Sequence, residues 1–344
     1  KNGVRFRTPN SYSYSAINFS LENNTVSGME NYGLRADYLK ESSIKNNTLI
    51  NCNNGIYLYG SYKGVGPGYK TNDNSVENNN ITNTTRGIHA LLSDRSVFRN
   101  NVVKNSSDSG ILLDSSKNAN VSSNDIDEGN IGINTINCNY ILIKSNNIVN
   151  MSKTGVLAHH HDYSEIMYNT ITNSSKYGMA VDECRYGEIE HNNMTRCGLH
   201  ILGDDIKHFS TNSYDDNIVN KRDFYFARGK VGGVVPSGKG QIMLYSCQNV
   251  KIENQNLSNA NIGFRSLFGD DNKLKNCSLD GNNIGAQISG KSSSRSKRDI
   301  LDNNAAINCE MGFYLKHIKN TEILGNNISK CSEYGIYTYN LFQA

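Results

Sequence analysis

The chain has 344 residues, of which 37% are apolar and 19% charged, and its formal net charge is +3. The small net charge argues against a nucleic-acid-binding protein, and no apolar run approaches the ~18 residues that a membrane helix needs. The 53 Asn, 20 Tyr and 3 Pro, with no Trp and with regularly placed Ile and Val, indicate a polar, repetitive, β-rich protein rather than a disordered chain.

An apolar anchor followed by a glycine recurs along the chain, mostly at intervals of 22 to 23 residues. The anchors run from Val26 through Ile148 to Met194 and resume at Leu257. A third short apolar strand precedes each anchor, so that every repeat holds three short strands with alternating polarity. This period predicts an all-β chain that forms one single-stranded parallel β-helix of about 13 coils over residues 1–344.

Asparagines recur at the bend between the second and third strands of each repeat. We expect a left-handed backbone there, which Asn tolerates, and side-chain amide ladders between coils about 4.8 Å apart. These residues are Asn23, Asn24, Asn46, Asn47, Asn79, Asn101, Asn124, Asn146, Asn169, Asn192, Asn276, Asn303 and Asn326. Residues 60–73, 215–239 and 291–298 interrupt the repeat and are predicted to be loop insertions on the binding face.

The eight cysteines follow the repeat, which indicates small, inward-pointing side chains rather than a disulfide framework. Cys309 and Cys331, on adjacent coils, are the pair for which a disulfide is worth testing. Cys138, His161 and Cys184 fall in one column and are of the type that binds zinc or copper. Three donors on a 4.8 Å ladder suit a tetrahedral site poorly, so no cofactor is predicted, and Ca, Zn or Cu stays an open alternative.

Acid and base side chains are densest on three consecutive coils between residues 159 and 205. His159 next to Asp182 suits a general base oriented by a carboxylate. Asp182 with Asp204 or Asp205 suits a glycosidase carboxylate pair, and Arg185 suits a substrate carboxylate. The candidate catalytic residues are His159, His161, Asp162, Asp182, Arg185, Asp204 and Asp205.

Further outward positions on the Gly-anchored strands are candidates for substrate binding. Tyrosine rings there can stack on sugars, and polar side chains can bind hydroxyl or carboxylate groups. The candidate residues are Tyr57, Tyr59, His89, Glu183, His200 and Arg265.

The run from Asn217 to Phe264, NIVNKRDFYF followed by PSGKGQIMLYSCQNVKIENQNLSNANIGF, resembles the NosD-type, CASH-domain β-helix proteins. This resemblance implies a right-handed helix, an extracellular or cell-surface location and a relation to archaeal surface proteins; proteins of this type are often described as copper-associated. The His161-Asp162 pair resembles half of the Asp-Pro-His-Asp signature of mannuronan C5-epimerases. Gly203-Asp204-Asp205 resembles the staggered carboxylates of polygalacturonases.

Two functions follow as hypotheses. The first is an extracellular lyase, hydrolase or epimerase that acts on acidic, uronate-containing polysaccharides. The second is a non-catalytic, NosD-like surface module that binds glycans or mediates adhesion. The expected partner in both is a polysaccharide or glycan. Both ends of the chain fall within the repeat, so that flanking domains or end-to-end assembly are also expected, because an uncovered coil exposes a sheet edge.

Overall fold

A computed structural model describes residues 2–7, 16–61, 71–203, 205–291, 293 and 295–342. The chain divides into two compact units. The first comprises residues 1–175, 179–192 and 201–213, and the second comprises residues 176–178, 193–200 and 214–344. Both units are right-handed parallel β-helix, and the chain has about 13 turns in total. The predicted fold class is therefore confirmed.

The first unit contains a parallel sheet of long strands and a parallel sheet of three-residue strands. The long strands and the short strands that extend them are Asn2–Arg7, Thr25–Ser27, Tyr32–Asp37, Thr48–Tyr59, Asn80–Leu91, Val102–Asp114, Asp125–Ile136, Asn147–His159 and Thr170–Thr172. The three-residue sheet holds Ser20–Glu22, Ser43–Lys45, Ser75–Glu77, Val97–Arg99, Asn120–Ser122, Leu142–Lys144, Glu165–Met167 and Glu188–Glu190. Ala16–Ile17 pairs with Leu39–Lys40, and Ile206–Ser210 is helical.

The second unit repeats the same plan. Its strands on the long-strand side are Asn193–Thr195, Ile218–Val219, Arg222–Arg228, Lys239–Tyr245, Ile262–Leu267, Ile284–Ser289, Ser296–Lys297, Met311–Lys319 and Tyr334–Phe342. The remaining strands are Lys251–Glu253, Lys273–Lys275, Ile300–Asp302, Glu322–Leu324, Ala305–Ile307 and Asn327–Ser329. Tyr177–Asp182 and Leu199–Leu202 contribute residues to both units.

Alternate residues of each Gly-anchored strand enter the core. In the strand Asn147–His159, Val156 and Ala158 are fully buried, whereas Leu157 and His159 are partly exposed. The anchors stack from coil to coil as the period predicts, with Ile148 paired to a neighbouring Ile on each side. Burying one such side chain stabilises the fold by roughly 1.5–3 kcal/mol. The core is therefore a stack of single side chains, which explains the low apolar fraction of the chain.

The predicted amide ladder is present in the interior of the first unit. Asn124 Oδ1 accepts hydrogen bonds from the backbone N and the Nδ2 of Asn101, both at 3.0 Å. Asn124 Nδ2 donates to Phe98 O and to Asn146 Oδ1, both at 2.9 Å. Each ladder residue thus satisfies buried backbone groups of neighbouring coils, and the side chains link the coils along the stack.

The expectation of a left-handed backbone is confirmed at Asn23, Asn46, Asn276 and Asn303, with φ between 51° and 60°. It is wrong for the inward-pointing asparagines of the amide ladder, where the preceding residue is left-handed, as at Ser123 (φ 55°) before Asn124 and at His191 (φ 56°) before Asn192. The left-handed residue turns its side chain to solvent, while the next residue points inward. The two roles therefore belong to adjacent residues, and only the inward role requires Asn.

The predicted insertions have different outcomes. In the segment 60–73, residues 62–70 lie outside the described part of the chain. The segment 215–239 is not only a loop, because Arg222–Arg228 pairs in parallel with Lys239–Tyr245. In the segment 291–298, residues 292 and 294 lie outside the described part, and Ser296–Lys297 pairs with the end of Met311–Lys319.

The cysteines follow the prediction of inward fillers. All eight are free thiols; seven are buried and Cys331 is partly exposed. Cys309 and Cys331 are therefore not joined by a disulfide. Burial raises the pKa of Cys138 and of Cys184 to about 12, so these thiols are protonated at neutral pH.

Candidate functional site

The acid and base cluster of the first unit lies at the corner where three successive long strands end. Each corner runs through a left-handed residue, an inward residue, an outward residue and a second left-handed residue. The three corners are Asn137-Cys138-Asn139-Tyr140, His160-His161-Asp162-Tyr163 and Glu183-Cys184-Arg185-Tyr186. Side chains of one type of position therefore stack in columns along the unit.

His159 and Asp182 occupy adjacent coils just before this corner. His159 Nδ1 lies 2.8 Å from Asp182 Oδ2, and both side chains are about one-third exposed. Because a carboxylate only accepts, Nδ1 carries the proton, and Nε2 of a neutral ring is the basic nitrogen. The geometry is that of a histidine oriented by a carboxylate, with its base directed away from that carboxylate.

Two further pairs cross the same coils. His160 Nδ1 lies 2.9 Å from Glu183 Oε2. The guanidinium of Arg185 donates from Nε and one terminal nitrogen to the two carboxylate oxygens of Asp162, both at 2.9 Å. These hydrogen bonds to the Asp162 carboxylate raise the pKa of Arg185. Such bidentate pairs have a fixed, planar geometry.

These paired side chains line an open pocket of about 350 Å³. Its lining residues are Asn137, Asn139, His160, Asp162, Glu183, Arg185 and His208. The lining contains one Arg, one Asp and one Glu, so its formal charge is −1 when the histidines are neutral. The pocket is thus a cluster of planar polar groups, held in place by contacts between adjacent coils.

The two carboxylates that were predicted to pair with Asp182 are Asp204 and Asp205. Asp204 lies outside the described part of the chain. Asp205 caps the short helix Ile206–Ser210, where its side chain accepts from Lys207 N at 2.9 Å. That hydrogen bond lowers the pKa of Asp205, which is the opposite of what a general acid needs.

His161, one of the candidate catalytic residues, is not a surface group; it lies in the buried column of Cys138 and Cys184. It is 1% exposed, and its Nε2 donates to Thr135 O at 3.1 Å. The left-handed residue His160 reverses the alternation of the strand, so His161 turns inward. Burial lowers the pKa of His161 to about 4, which keeps the ring neutral.

Three stacked tyrosines next to the pocket were missed from the sequence. Tyr140, Tyr163 and Tyr186 directly follow the pocket residues Asn139, Asp162 and Arg185. Their ring centroids lie 5.2 and 4.9 Å apart with interplanar angles of 5° and 13°. Their regular spacing of 23 residues is the sequence signal that identifies them as a column.

Tyr57, Tyr59 and His89 gather elsewhere in the first unit, on the outer face of the long strands. The Tyr57 ring lies 4.6 Å from the ring of His89 and 5.8 Å from that of Tyr59. Burial raises the pKa of Tyr57 to about 12 and lowers that of His89 to about 4. These three residues form an aromatic cluster of their own.

His200 and Arg265 belong to the second unit. His200 is only 5% exposed and stacks on the ring of Tyr177 at 4.2 Å, so it is not the accessible side chain that the sequence suggested. Arg265 pairs in register with Gln287, and burial lowers the pKa of Arg265 to about 10.

The fold and the corner pocket define a right-handed parallel β-helix protein with a polar site between adjacent coils. A family model described as "Periplasmic copper-binding protein (NosD)" matches residues 7–93, 63–230 and 228–342. The chain belongs to this NosD family. No sequence match was found among curated proteins.

Several solved structures are similar to this chain at low identity. The chain is similar to PfbA, a surface adhesin of Streptococcus pneumoniae (12% identity, 92% of this chain and 85% of that chain, TM-score 0.41). It is similar to the GH136 lacto-N-biosidase from Eubacterium ramulus (10%, 99% and 59%, 0.42). It is also similar to the A-module of the mannuronan C-5 epimerase AlgE6 from Azotobacter vinelandii (9%, 93% and 80%, 0.34).

The family description names copper, and the sequence suggested Cys138, His161 and Cys184 as candidate zinc or copper ligands. Both thiols donate to backbone carbonyls, Cys138 to Ile136 O at 3.2 Å and Cys184 to Asp182 O at 3.4 Å. His161 uses Nε2 on a carbonyl. Within the described ranges, no three His, Cys, Asp or Glu side chains converge as a metal site. These residues do not fit a copper centre.

Proposed function

We propose that this protein is an extracytoplasmic glycan-binding protein and that the corner pocket is its binding site. The observation that carries the proposal is the pocket itself, which planar polar side chains of three adjacent coils line and in which two side-chain pairs join adjacent coils. Carboxylates, amides, imidazoles and a guanidinium offer the donors and acceptors that sugar hydroxyls need. The periplasmic description of the family supports the location, and no helix in the described ranges is long and apolar enough to span a membrane.

The charges of the pocket favour neutral glycans over the uronate-containing chains expected from the sequence. Arg185 already bonds both oxygens of Asp162, and His160 faces Glu183. The lining carries a formal charge of −1, so a polyanion gains no net Coulomb attraction there. A neutral sugar needs only hydrogen bonds, which the existing pairs supply without being broken.

Calorimetric titration with defined oligosaccharides tests this function. The panel contains cello-, malto-, xylo- and chito-oligosaccharides, with oligogalacturonate and oligomannuronate as the charged members. We expect at least one neutral oligosaccharide to bind. Glu183→Ala should weaken its affinity about tenfold or more, because the substitution removes a hydrogen-bond acceptor and the partner of His160. Glu165→Ala is the matched control, because Glu165 is an exposed strand residue outside the pocket. Failure of every neutral member to bind would refute the proposal.

A second candidate function rests on the His159–Asp182 pair. His159 Nε2 suits a general base that removes a proton next to a carboxyl group, as a lyase or epimerase requires. In this second candidate function, the remaining N–H groups of Arg185 bind the carboxylate of a uronate. Asp182→Asn abolishes turnover, because it removes the negative charge that stabilises the protonated imidazole of His159. Product analysis of alginate and polygalacturonate after incubation tests it. Unchanged polymers after incubation with the wild-type protein would rule out this activity.

A further inference from the structure

The three stacked tyrosines, Tyr140, Tyr163 and Tyr186, are here called the tyrosine ladder. Their side chains are 54%, 49% and 43% exposed. Large aromatic side chains with this much exposure are unusual on three consecutive coils, because burying each would otherwise contribute to folding. The ladder therefore presents an aromatic surface to solvent.

The three tyrosines also share a backbone conformation that is unfavourable for bulky side chains. All three tyrosines are left-handed, with φ of 58°, 56° and 57°. A bulky side chain in this region costs free energy that Asn or Gly avoids. Earlier coils of the same corner carry Asp73, Arg95 and Asn118 in this conformation. Among the described residues at this corner position, Tyr replaces polar residues only on the three coils that line the pocket.

We propose that the tyrosine ladder extends the pocket into a binding surface for a long neutral glycan that runs along the stack of coils. The inference rests on the proposed function, because it takes the pocket as the place where one sugar residue is held. Each ladder tyrosine directly follows a pocket residue in sequence, so that the two surfaces are continuous. The phenol groups donate and accept hydrogen bonds, and the ring edges contact the C–H faces of neighbouring sugars.

The dimensions favour a polymer over a protein partner. The ladder covers two coil rises of about 4.8 Å, or roughly 10 Å, which is longer than one sugar ring. A stable protein interface needs on the order of 800 Å² on each partner, with an apolar centre. The ladder is a narrow strip that borders a polar pocket, so a chain of hydroxyl-rich units fits it better.

Chain-length dependence tests the ladder separately from the pocket. The probes are cello-, malto-, xylo- and chito-oligosaccharides of two and six units, titrated calorimetrically against the full chain. We expect the hexamer of the recognised sugar to bind about tenfold or more tighter than its dimer. Tyr163→Asn should remove most of that difference and leave dimer binding within about twofold.

Tyr163→Asn is chosen because Asn118 already occupies this corner position and tolerates its backbone. Tyr168→Asn is the matched control, since Tyr168 is 49% exposed, has φ 58° and stacks on His191, but follows a different strand end. Circular dichroism confirms that both variants fold. Equal binding of dimer and hexamer by the wild type, or an unchanged hexamer affinity in Tyr163→Asn, overturns the ladder proposal alone. Absence of binding at every length overturns the pocket proposal and the ladder with it.

Discussion

The stability of the second unit should depend on pH through one buried carboxyl group. Asp299 is 1% exposed; its Oδ1 accepts from Asn272 N at 3.0 Å, and its Oδ2 lies 2.6 Å from Ser296 Oγ. On the neighbouring coil, Asn272 has the corresponding contact, because its Oδ1 accepts a hydrogen bond from Val250 N. Asp299 thus occupies a position that asparagine fills on the neighbouring coil, and burial raises its pKa to about 7.

The sign and size of the effect follow from this shift. The ordinary value is 3.8, so between pH 4 and 7 the unfolded chain ionises while the folded state keeps the proton. The contribution of Asp299 to the folding stability is therefore fully present below pH 4 and is lost as the pH rises through 7. A difference of about 3 pKa units corresponds to about 4 kcal/mol, at about 1.4 kcal/mol per pH unit.

Asp299→Asn removes this titration and keeps both hydrogen bonds, because its amide can accept from Asn272 N and donate to Ser296 Oγ. In urea denaturation followed by circular dichroism, the variant should match the wild type near pH 4. It should be more stable by up to about 4 kcal/mol at pH 7.5.

Asp271→Asn is the control, because hydrogen bonds from Arg298 lower the pKa of Asp271 from its ordinary value of 3.8. This carboxyl group is ionised in both the folded and the unfolded state above pH 4, so the stability difference between Asp271→Asn and the wild type should stay constant from pH 4 to 7.5. A difference between Asp299→Asn and the wild type that stays constant from pH 4 to 7.5 would refute the assignment of a buried, protonated carboxyl group.

Three further predictions concern the interior. Asn124→Ala leaves Asn101 N and Phe98 O without their partner and should cost about 2–5 kcal/mol in urea denaturation, whereas the exposed Asn105→Gly should change little. Burial lowers the pKa of His161 to about 4, so its contribution to stability is lost as the pH falls below 6.5; His161→Ser should flatten that loss between pH 7 and 4.5. In native thiol titration with Ellman's reagent, only Cys331 should react rapidly, and fast reaction of other thiols would contradict the buried register.

The fold was predictable because each coil repeats the same registration. A period of 22 to 23 residues places Ile126 beside Ile148 and Ile148 beside Ile171, and the structure pairs them so. The same period placed His159 next to Asp182. The period of the repeat determines which residues are neighbours on adjacent coils, and these pairs of neighbours were predicted correctly.

The site was less predictable because its corner breaks the strand rule. Along an uninterrupted strand, residues 159 and 161 would face the same side. The left-handed His160 reverses that alternation, so that His161 joins the core between Cys138 and Cys184. His200 did take its outward position, but the ring of Tyr177 covers it. Backbone conformation at single residues and contacts between rings leave no periodic signal in a sequence.

The corner position of the ladder shows how much of the site the fold leaves open. In the first unit the same position holds a bidentate Arg95–Asp73 pair at 2.7 Å, and in the second unit it holds Arg298–Asp271 at 2.6 Å. The backbone conformation is alike in all these cases, with φ between 54° and 59°. The solenoid therefore fixes an array of outward side chains about 4.8 Å apart, and it does not fix their chemistry. A function assigned to this protein must rest on the side chains at the three pocket corners, since the coils that carry them are shared with proteins of many activities.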